Sequence, residues 1–231
     1  MPSDAAVVAQ ELAVGREPSG PRLAGVDLTV AAGERLAVVG ANGAGKTTLL
    51  ATLALIVPPA AGRLLLFGRE PARLATAERA GLRRRIGAAV GDGPWLADAT
   101  VADNLALPLR VHGEDERAVG TVVGEFLDWL GLGDRRAAPV AALSTGERRL
   151  LDIARAAVVR PDLLLLDEPL AGLDGRAAGR VAQLVGELAG LGAAVIVATA
   201  EADDARRLGC APVTPAADGL RLGAAPLRAA S

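Results

Sequence analysis

Three short segments of the 231-residue chain carry residue types at spacings suited to phosphate chemistry. GANGAGKT, residues 40–47, matches G-x-x-x-x-G-K-[ST] and lies between a strand-like run and a helix-like run. Its glycines let successive backbone N–H groups curl around phosphate oxygens, and a following helix N-terminus adds its positive end. The candidate binding residues are Gly40, Asn42, Gly43, Ala44, Gly45, Lys46, Thr47 and Thr48. Lys46 would reach the β and γ phosphates of a nucleotide, and the Thr47 hydroxyl would ligate Mg2+. LLLLDEP, residues 163–169, describes a buried strand that delivers carboxylates to its C-terminal end. There Asp167 would hold the metal ion and Glu168 would polarise an attacking water as the catalytic residue. LSTGE, residues 143–147, is open to two readings. Ser144 and Glu147 have the spacing of a capping box, and the same helix N-terminus, with Ser144 and the Gly146 N–H, suits a γ-phosphate.

The basic residues sharpen the first of these segments. Of the 25 lysines and arginines only Lys46 is a lysine, and it occupies the lysine position of the glycine-rich loop. A compact ammonium and a planar guanidinium differ most where a point charge must fit a tight cradle. The net charge of −2 gives no electrostatic case for nucleic acid, and Arg83, Arg84 and Arg85 read as a solvated helix face. One cysteine, Cys210, leaves no internal disulfide framework and fits a reducing compartment. MPSDAAVV lacks a basic segment followed by an apolar one, and no run approaches about 18 apolar residues. A cytoplasmic chain is expected.

The elements that must position these groups alternate between strand and helix. GVDLTV (25–30) and RLAVVG (35–40) read as two strands around a tight turn, preceded by an irregular stretch over residues 1–22. The glycine-rich loop runs into a helix stopped by Pro58 and Pro59, and 62–68 and 86–90 are further strands. Thr100 and Asp103 form a capping-box pair that opens a helix at VADNLALPLRV. Val119, Val122, Val123, Phe126, Leu127 and Leu130 recur at helical spacing, closed by Gly131 and Gly133. Residues 92–142 therefore read as a mainly helical insert. A helix (144–159), a strand (163–167), a helix (176–190) and the apolar run ending VIVATAEADD (195–204) follow. Such alternation predicts a parallel sheet with helices on both faces.

With its motifs in this order, the chain resembles the nucleotide-binding domain of the ATP-binding cassette (ABC) family over about residues 7–222. GANGAGKTT matches the family's Walker A motif, LSTGERRLLDIARA its signature motif, LLLLDEP its Walker B motif and AGLD (171–174) its D-loop, which adds Asp174 to the binding residues. LRRRIGAAV and TVADNLALPL are similar to the FtsE and lipoprotein-exporter (LolD) branch. The resemblance implies an α/β P-loop NTPase fold: a mainly parallel sheet core (about 7–91 and 160–222), an antiparallel β subdomain and a helical subdomain (about 92–159) in a single domain. It implies ATP and Mg2+ as cofactors. It also implies head-to-tail closure with a second cassette subunit, identical or different, and a separate transmembrane permease subunit. That permease would dock a cytoplasmic helix between core and helical insert and hold the chain on the inner face of the membrane.

Three positions depart from the family pattern. The glutamine expected after IGAAV falls at Gly91, so Gly91, Asp92, Gly93 and Pro94 form a hinge without an amide. The aromatic that stacks on adenine is missing; residues 1–66 hold no Phe, Trp or Tyr, and the nearest candidates are aliphatic, such as Val14. The phosphate-sensing histidine falls at Ala200, next to Glu201, and the one histidine, His112, reads as a helix end before Gly113. Losing one transition-state contact costs about 10²- to 10³-fold in rate. MgATP binding with slow hydrolysis is therefore expected. Two alternatives stay open: a non-catalytic ATP-gated subunit completed by a different cassette protein, and a soluble cassette ATPase acting on ribosomes or DNA.

Overall fold

The computed structural model describes residues 5–15, 22–91, 93, 95–215 and 221–222. Asp92 and Pro94 of the expected hinge lie outside the described residues. Two sheets share the molecule. β1 (Ala5–Val14), β2 (Leu23–Ala31), β4 (Ala61–Leu66) and β9 (Arg221–Leu222) form a four-stranded sheet in the order β4-β1-β2-β9, with β1 antiparallel to both of its neighbours. β3 (Arg35–Val39), β5 (Ile86–Ala89), β6 (Leu163–Asp167), β7 (Ala194–Thr199) and β8 (Ala211–Val213) form a parallel sheet in the order β5-β6-β7-β3-β8.

One expectation is corrected here and another is made more specific. Residues 5–14 are not irregular but form the long central strand of the antiparallel sheet. β2 and β3, read as two strands around a tight turn, are both strands and belong to different sheets. The turn between them redirects the chain from one layer to the next, so AAGE is a corner rather than a hairpin.

The four leucines of β6 are all fully buried and alternate between two cores. Leu163 and Leu165 pack with Leu49, Leu50 and Leu53 of α1 (Lys46–Leu53) and with the antiparallel sheet. Leu164 and Leu166 pack on the other face with α5 (Thr145–Ala157) and α6 (Gly175–Gly190). A strand with period-2 geometry and apolar surroundings on both sides has no polar position, which is why its sequence is a continuous run. Each leucine so buried contributes about 1.5–3 kcal/mol.

The helical segment is capped as its sequence requires. α3 (Val101–His112) opens on Thr100, whose hydroxyl accepts from the Asp103 N–H (3.1 Å), while the Asp103 carboxylate accepts from the Thr100 hydroxyl (2.6 Å). That pairing holds the Asp103 carboxyl below the usual carboxylate range. α3 ends at His112 on a left-handed Gly113, and α4 (Glu116–Leu130) buries Val119, Val123, Leu127 and Leu130 before Gly131 closes it. α5 runs back against β5 at Gly87, where an added Cβ would lie 1.9 Å from the Ala156 carbonyl oxygen. Only glycine permits that approach, and it seats the helix that carries Ser144 against the sheet that carries Asp167.

α2 (Thr76–Arg84) and α7 (Ala202–Arg207) complete the fold. Cys210 is buried beyond α7, and its burial pushes the thiol up to about 11, which leaves it protonated and unreactive.

Candidate nucleotide-binding site

The chemistry-bearing segments meet at the C-terminal ends of the parallel strands, where ligands of open α/β sheets bind. The loop 40–45 leaves β3, Asp167 and Glu168 end β6, and Thr199 and Ala200 end β7. β7 lies between the other two, pairing Thr199 with Val39 and Ala198 with Asp167. Hydrogen bonds lock this edge: the Gly40 N–H donates to the Thr199 carbonyl (3.1 Å) and the Glu168 N–H to the Ala198 carbonyl (2.8 Å).

The loop wraps around its own lysine. Lys46 is buried, and its ammonium donates to the carbonyls of Gly40 (2.7 Å) and Ala41 (3.1 Å). Gly45 caps α1 with φ 86°, a conformation that favours glycine, and no side chain bonds to the helix N-terminus. The N–H groups of Lys46, Thr47 and Thr48 thus meet no acceptor among the described residues, and with the helix dipole they form an anion site. Asn42, Gly43 and Thr47 are exposed, while Ala44 and Thr48 are half-buried.

Opposite the loop stand the two carboxylates. Glu168 Oε1 lies 3.8 Å from Lys46 Nζ, and Glu168 holds φ 45°, which costs a non-glycine residue about 1–3 kcal/mol. That backbone turns its side chain off the strand line toward the loop. Asp167 is buried, and its Oδ1 has no hydrogen-bond partner. A buried anionic oxygen in this state is costly unless a cation or donor arrives, so the residues fit a metal ion. No group of three His, Cys, Asp or Glu side chains able to hold a metal occurs among the described residues. A hard cation such as Mg2+ takes few protein ligands and completes its shell with phosphate and water, which a single buried carboxylate suits.

Nothing in the sequence singles out Arg149. Its guanidinium, reaching across from α5, donates to the Asp167 carbonyl (3.1 Å). The pair Arg148-Arg149 reads as charged helix surface, yet Arg148 is exposed and Arg149 half-buried. Only three-dimensional packing separates them.

The remaining predicted residues gather elsewhere. Ser144 caps α5: its hydroxyl accepts from the Glu147 N–H (3.2 Å) and the Glu147 carboxylate accepts from the Ser144 N–H (2.8 Å). The Ser144 backbone bond is the main cause holding the Glu147 carboxyl below its usual range, with Arg135 adding to it. Gly146 sits against the 170–174 loop, where an added Cβ would approach the Gly172 carbonyl oxygen to 3.2 Å. Asp174 caps α6 through the Ala177 N–H (2.8 Å). Among the described residues no hydrogen bond or ion pair joins Ser144, Gly146 or Asp174 to the glycine-rich loop. Ser144, Gly146 and Asp174 are thus bonded apart from the loop of their own chain.

The departures are equally plain. Val14 is fully buried and paired with Leu23, so it offers no face to a base, correcting the expectation that it stands nearest to one. Gly91 is exposed with φ 67°. Ala200 is half-buried, and the neighbouring Thr199 hydroxyl is taken by the Glu201 N–H (3.1 Å).

A family model described as ABC transporter matches residues 23–171, spanning the loop, the signature segment and both carboxylates. The chain belongs to the ABC transporter family. This cassette is 36% identical over 188 residues to the lipoprotein-releasing system ATP-binding protein LolD of Shewanella oneidensis, covering 80% of this chain and 82% of that protein. It is also 36% identical over 189 residues to the methionine import ATP-binding protein MetN of Caulobacter vibrioides, covering 81% of this chain but 57% of that relative. The cassette therefore spans just over half the length of the import relative and about four-fifths of the lipoprotein-releasing one. The FtsE/LolD-like character of residues 82–90 and 100–109 fits the likeness to LolD. A dimeric bacterial ABC transporter cassette shares the fold, with a TM-score of 0.84 at 22% identity, over 94% of this chain and 97% of that one.

Proposed function

We propose that the chain is the ATP-binding subunit of an ABC transporter or an FtsEX-like complex, binding MgATP and hydrolysing it slowly to drive a membrane partner. The observation that carries this reading is the opposed pair of Lys46, buried in its own loop, and Asp167, whose buried Oδ1 lacks a partner. In this reading Lys46 leaves the Gly40 and Ala41 carbonyls for the β and γ phosphates, while the free N–H groups of Lys46, Thr47 and Thr48 hold the others. Bound Mg2+ would neutralise phosphate charge, with Thr47 and Asp167 as its protein-side ligands. Glu168 accepts the proton of the attacking water.

Ser144 and Gly146, remote in bonding from the loop of their own chain, would serve the loop of a second cassette subunit, with Asp174 beside them. That arrangement accounts for two half-sites in one chain and for the head-to-tail dimer. The boundaries proposed are a core of 7–91 and 160–222 and a helical subdomain of 92–159. Between them a cleft of about 560 Å³, lined by α2, α3, α5 and β5 and bearing the exposed Ile56 and Val111, is the proposed seat for the permease. No described helix is long and apolar enough to cross a membrane, which is why a separate permease is invoked. The proposed location is cytoplasmic, against the inner face of the membrane.

Two measurements test this reading. Affinity-tagged chain should co-purify with a multi-span membrane protein; recovery of ribosomes or DNA in its place would support the soluble alternative and sink this one. Histidine at position 200 should restore a donor to the γ-phosphate. Ala200→His is expected to raise kcat at least about tenfold, a fraction of what one transition-state contact supplies. An unchanged rate would show that another group already fills that role.

A further inference from the structure

The nucleotide reading leaves the base without a partner, and the cause is specific. The chain has two Phe, two Trp and no Tyr. Phe67 lies under the Arg85 guanidinium (3.8 Å to the ring centre) and Trp95 under that of Arg155 (5.2 Å). Phe126 and Trp129 pack edge-on against each other at 6.0 Å. All four rings are engaged away from the glycine-rich loop.

Among the described residues, the arginine rooted beside that loop is Arg22. After β1 ends at Val14, Gly15 turns with φ 79°, and the Arg22 N–H closes the gap by donating to the Val14 carbonyl (3.0 Å). A Cβ added to Gly15 would lie 3.2 Å from both Cβ and Cγ of Arg22. A Cβ added to Gly45, next to Lys46, would lie 3.5 Å from the Arg22 Cβ. The base of the Arg22 side chain therefore stands between the strand end and the phosphate loop, and the residue is exposed. The other flank of the loop is the Pro215 ring, whose Cδ would lie 3.4 Å from a Cβ on Gly40 and which offers no donor.

We propose that Arg22 is the base-binding residue of this cassette, its guanidinium lying on the purine face where no aromatic ring is present. The inference rests on the nucleotide-binding reading above and adds the specificity of that site. A guanidinium stacks on any purine face, because stacking engages the ring and not the donor and acceptor edge on which guanine and adenine differ. The consequence is a purine-tolerant site that takes GTP nearly as well as ATP.

Calorimetric titration of the full chain with MgATP, MgGTP and inorganic magnesium tripolyphosphate tests this. Wild type should bind ATP and GTP within about fivefold of each other, since stacking alone distinguishes bases little. Arg22→Ala should weaken both by about tenfold, the order expected for one lost stacking partner, and leave tripolyphosphate unchanged. Arg22→Tyr should recover the ATP affinity lost in Arg22→Ala. Equal weakening of tripolyphosphate would make Arg22 a phosphate ligand and overturn the proposal, as would unchanged nucleotide affinity in Arg22→Ala or a wild-type preference for ATP above about fiftyfold. If wild type binds tripolyphosphate and neither nucleotide, base recognition fails while the phosphate site stands. Binding of none of the three overturns the nucleotide reading itself.

Discussion

Glu168→Gln should abolish the ATP turnover of this cassette and leave MgATP binding at least as tight as in the wild type. The expectation follows from what the substitution keeps and what it removes. The Glu168 backbone is anchored by its own N–H to Ala198 (2.8 Å) and by its carbonyl to the Ala171 N–H (3.2 Å), so φ 45° is imposed by the framework and survives the change. An amide fills the same volume beside Lys46 and keeps hydrogen-bonding capacity, but it cannot take a proton from water. General-base catalysis contributes about 10²- to 10⁴-fold, so the loss should be of that order. Binding moves the other way. A carboxylate 3.8 Å from the ammonium that must grip the phosphates both competes for it and repels the incoming anion. Removing that charge relieves both effects. The check is phosphate release under saturating MgATP, with binding measured separately by titration. Equal rates in the two proteins would leave the chain as a non-catalytic ATP-gated subunit, the alternative that Gly91 and Ala200 already favour.

What the sequence discloses and what it hides differ in physical kind. The glycine-rich loop, the β6 leucines and the capped helices α3 to α5 are legible because one local rule dominates each. Backbone conformation demands Gly45, two-sided burial demands Leu163 to Leu166, and orphan N–H groups demand Thr100 and Ser144. β1 is hidden because its alternation is broken: Glu11 takes φ 47° and its N–H bonds the Asp27 carboxylate (2.9 Å), shifting the register between Ala9 and Leu12. The bulge leaves two exposed residues in mid-strand, so period-2 reading fails across it. α2 is hidden for the opposite reason. Of its nine residues only Leu82 is buried, which gives no apolar stripe to count, and it is held instead by Glu78 at its start. At the site the roles written in side-chain type stand out, whereas Arg149 and Arg22 are two arginines among many until distances separate them.

Lys46→Ala should remove MgATP binding from the measurable range and should do so without unfolding the chain. The ammonium is buried and held by two backbone carbonyls, so in the free protein it neutralises oxygens of its own loop as well as the Glu168 carboxylate. Replacing it with methyl leaves Gly40 and Ala41 carbonyls facing a gap that water can enter, because Ala41, Asn42 and Gly43 are exposed. The loop itself rests on backbone bonds that the substitution does not touch, from Gly40 to Thr199 (3.1 Å) and from Ala44 to Ala41 (3.2 Å). Thermal stability should therefore fall by only a few degrees. The phosphates, in contrast, lose the one cation that the loop supplies at close range, and they still face Glu168 and Asp167. Charge-assisted hydrogen bonds to a buried ammonium contribute about 1.5–3 kcal/mol, and the uncompensated repulsion adds to that, so affinity should drop by roughly a hundredfold or more. Lys46→Arg separates charge from shape. A guanidinium carries the same charge but is too broad for a pocket closed by carbonyls at 2.7 and 3.1 Å, and binding should stay lost. Recovery of wild-type affinity in Lys46→Arg would mean that the single lysine of this arginine-rich chain is there by chance, and that the loop asks only for a positive charge.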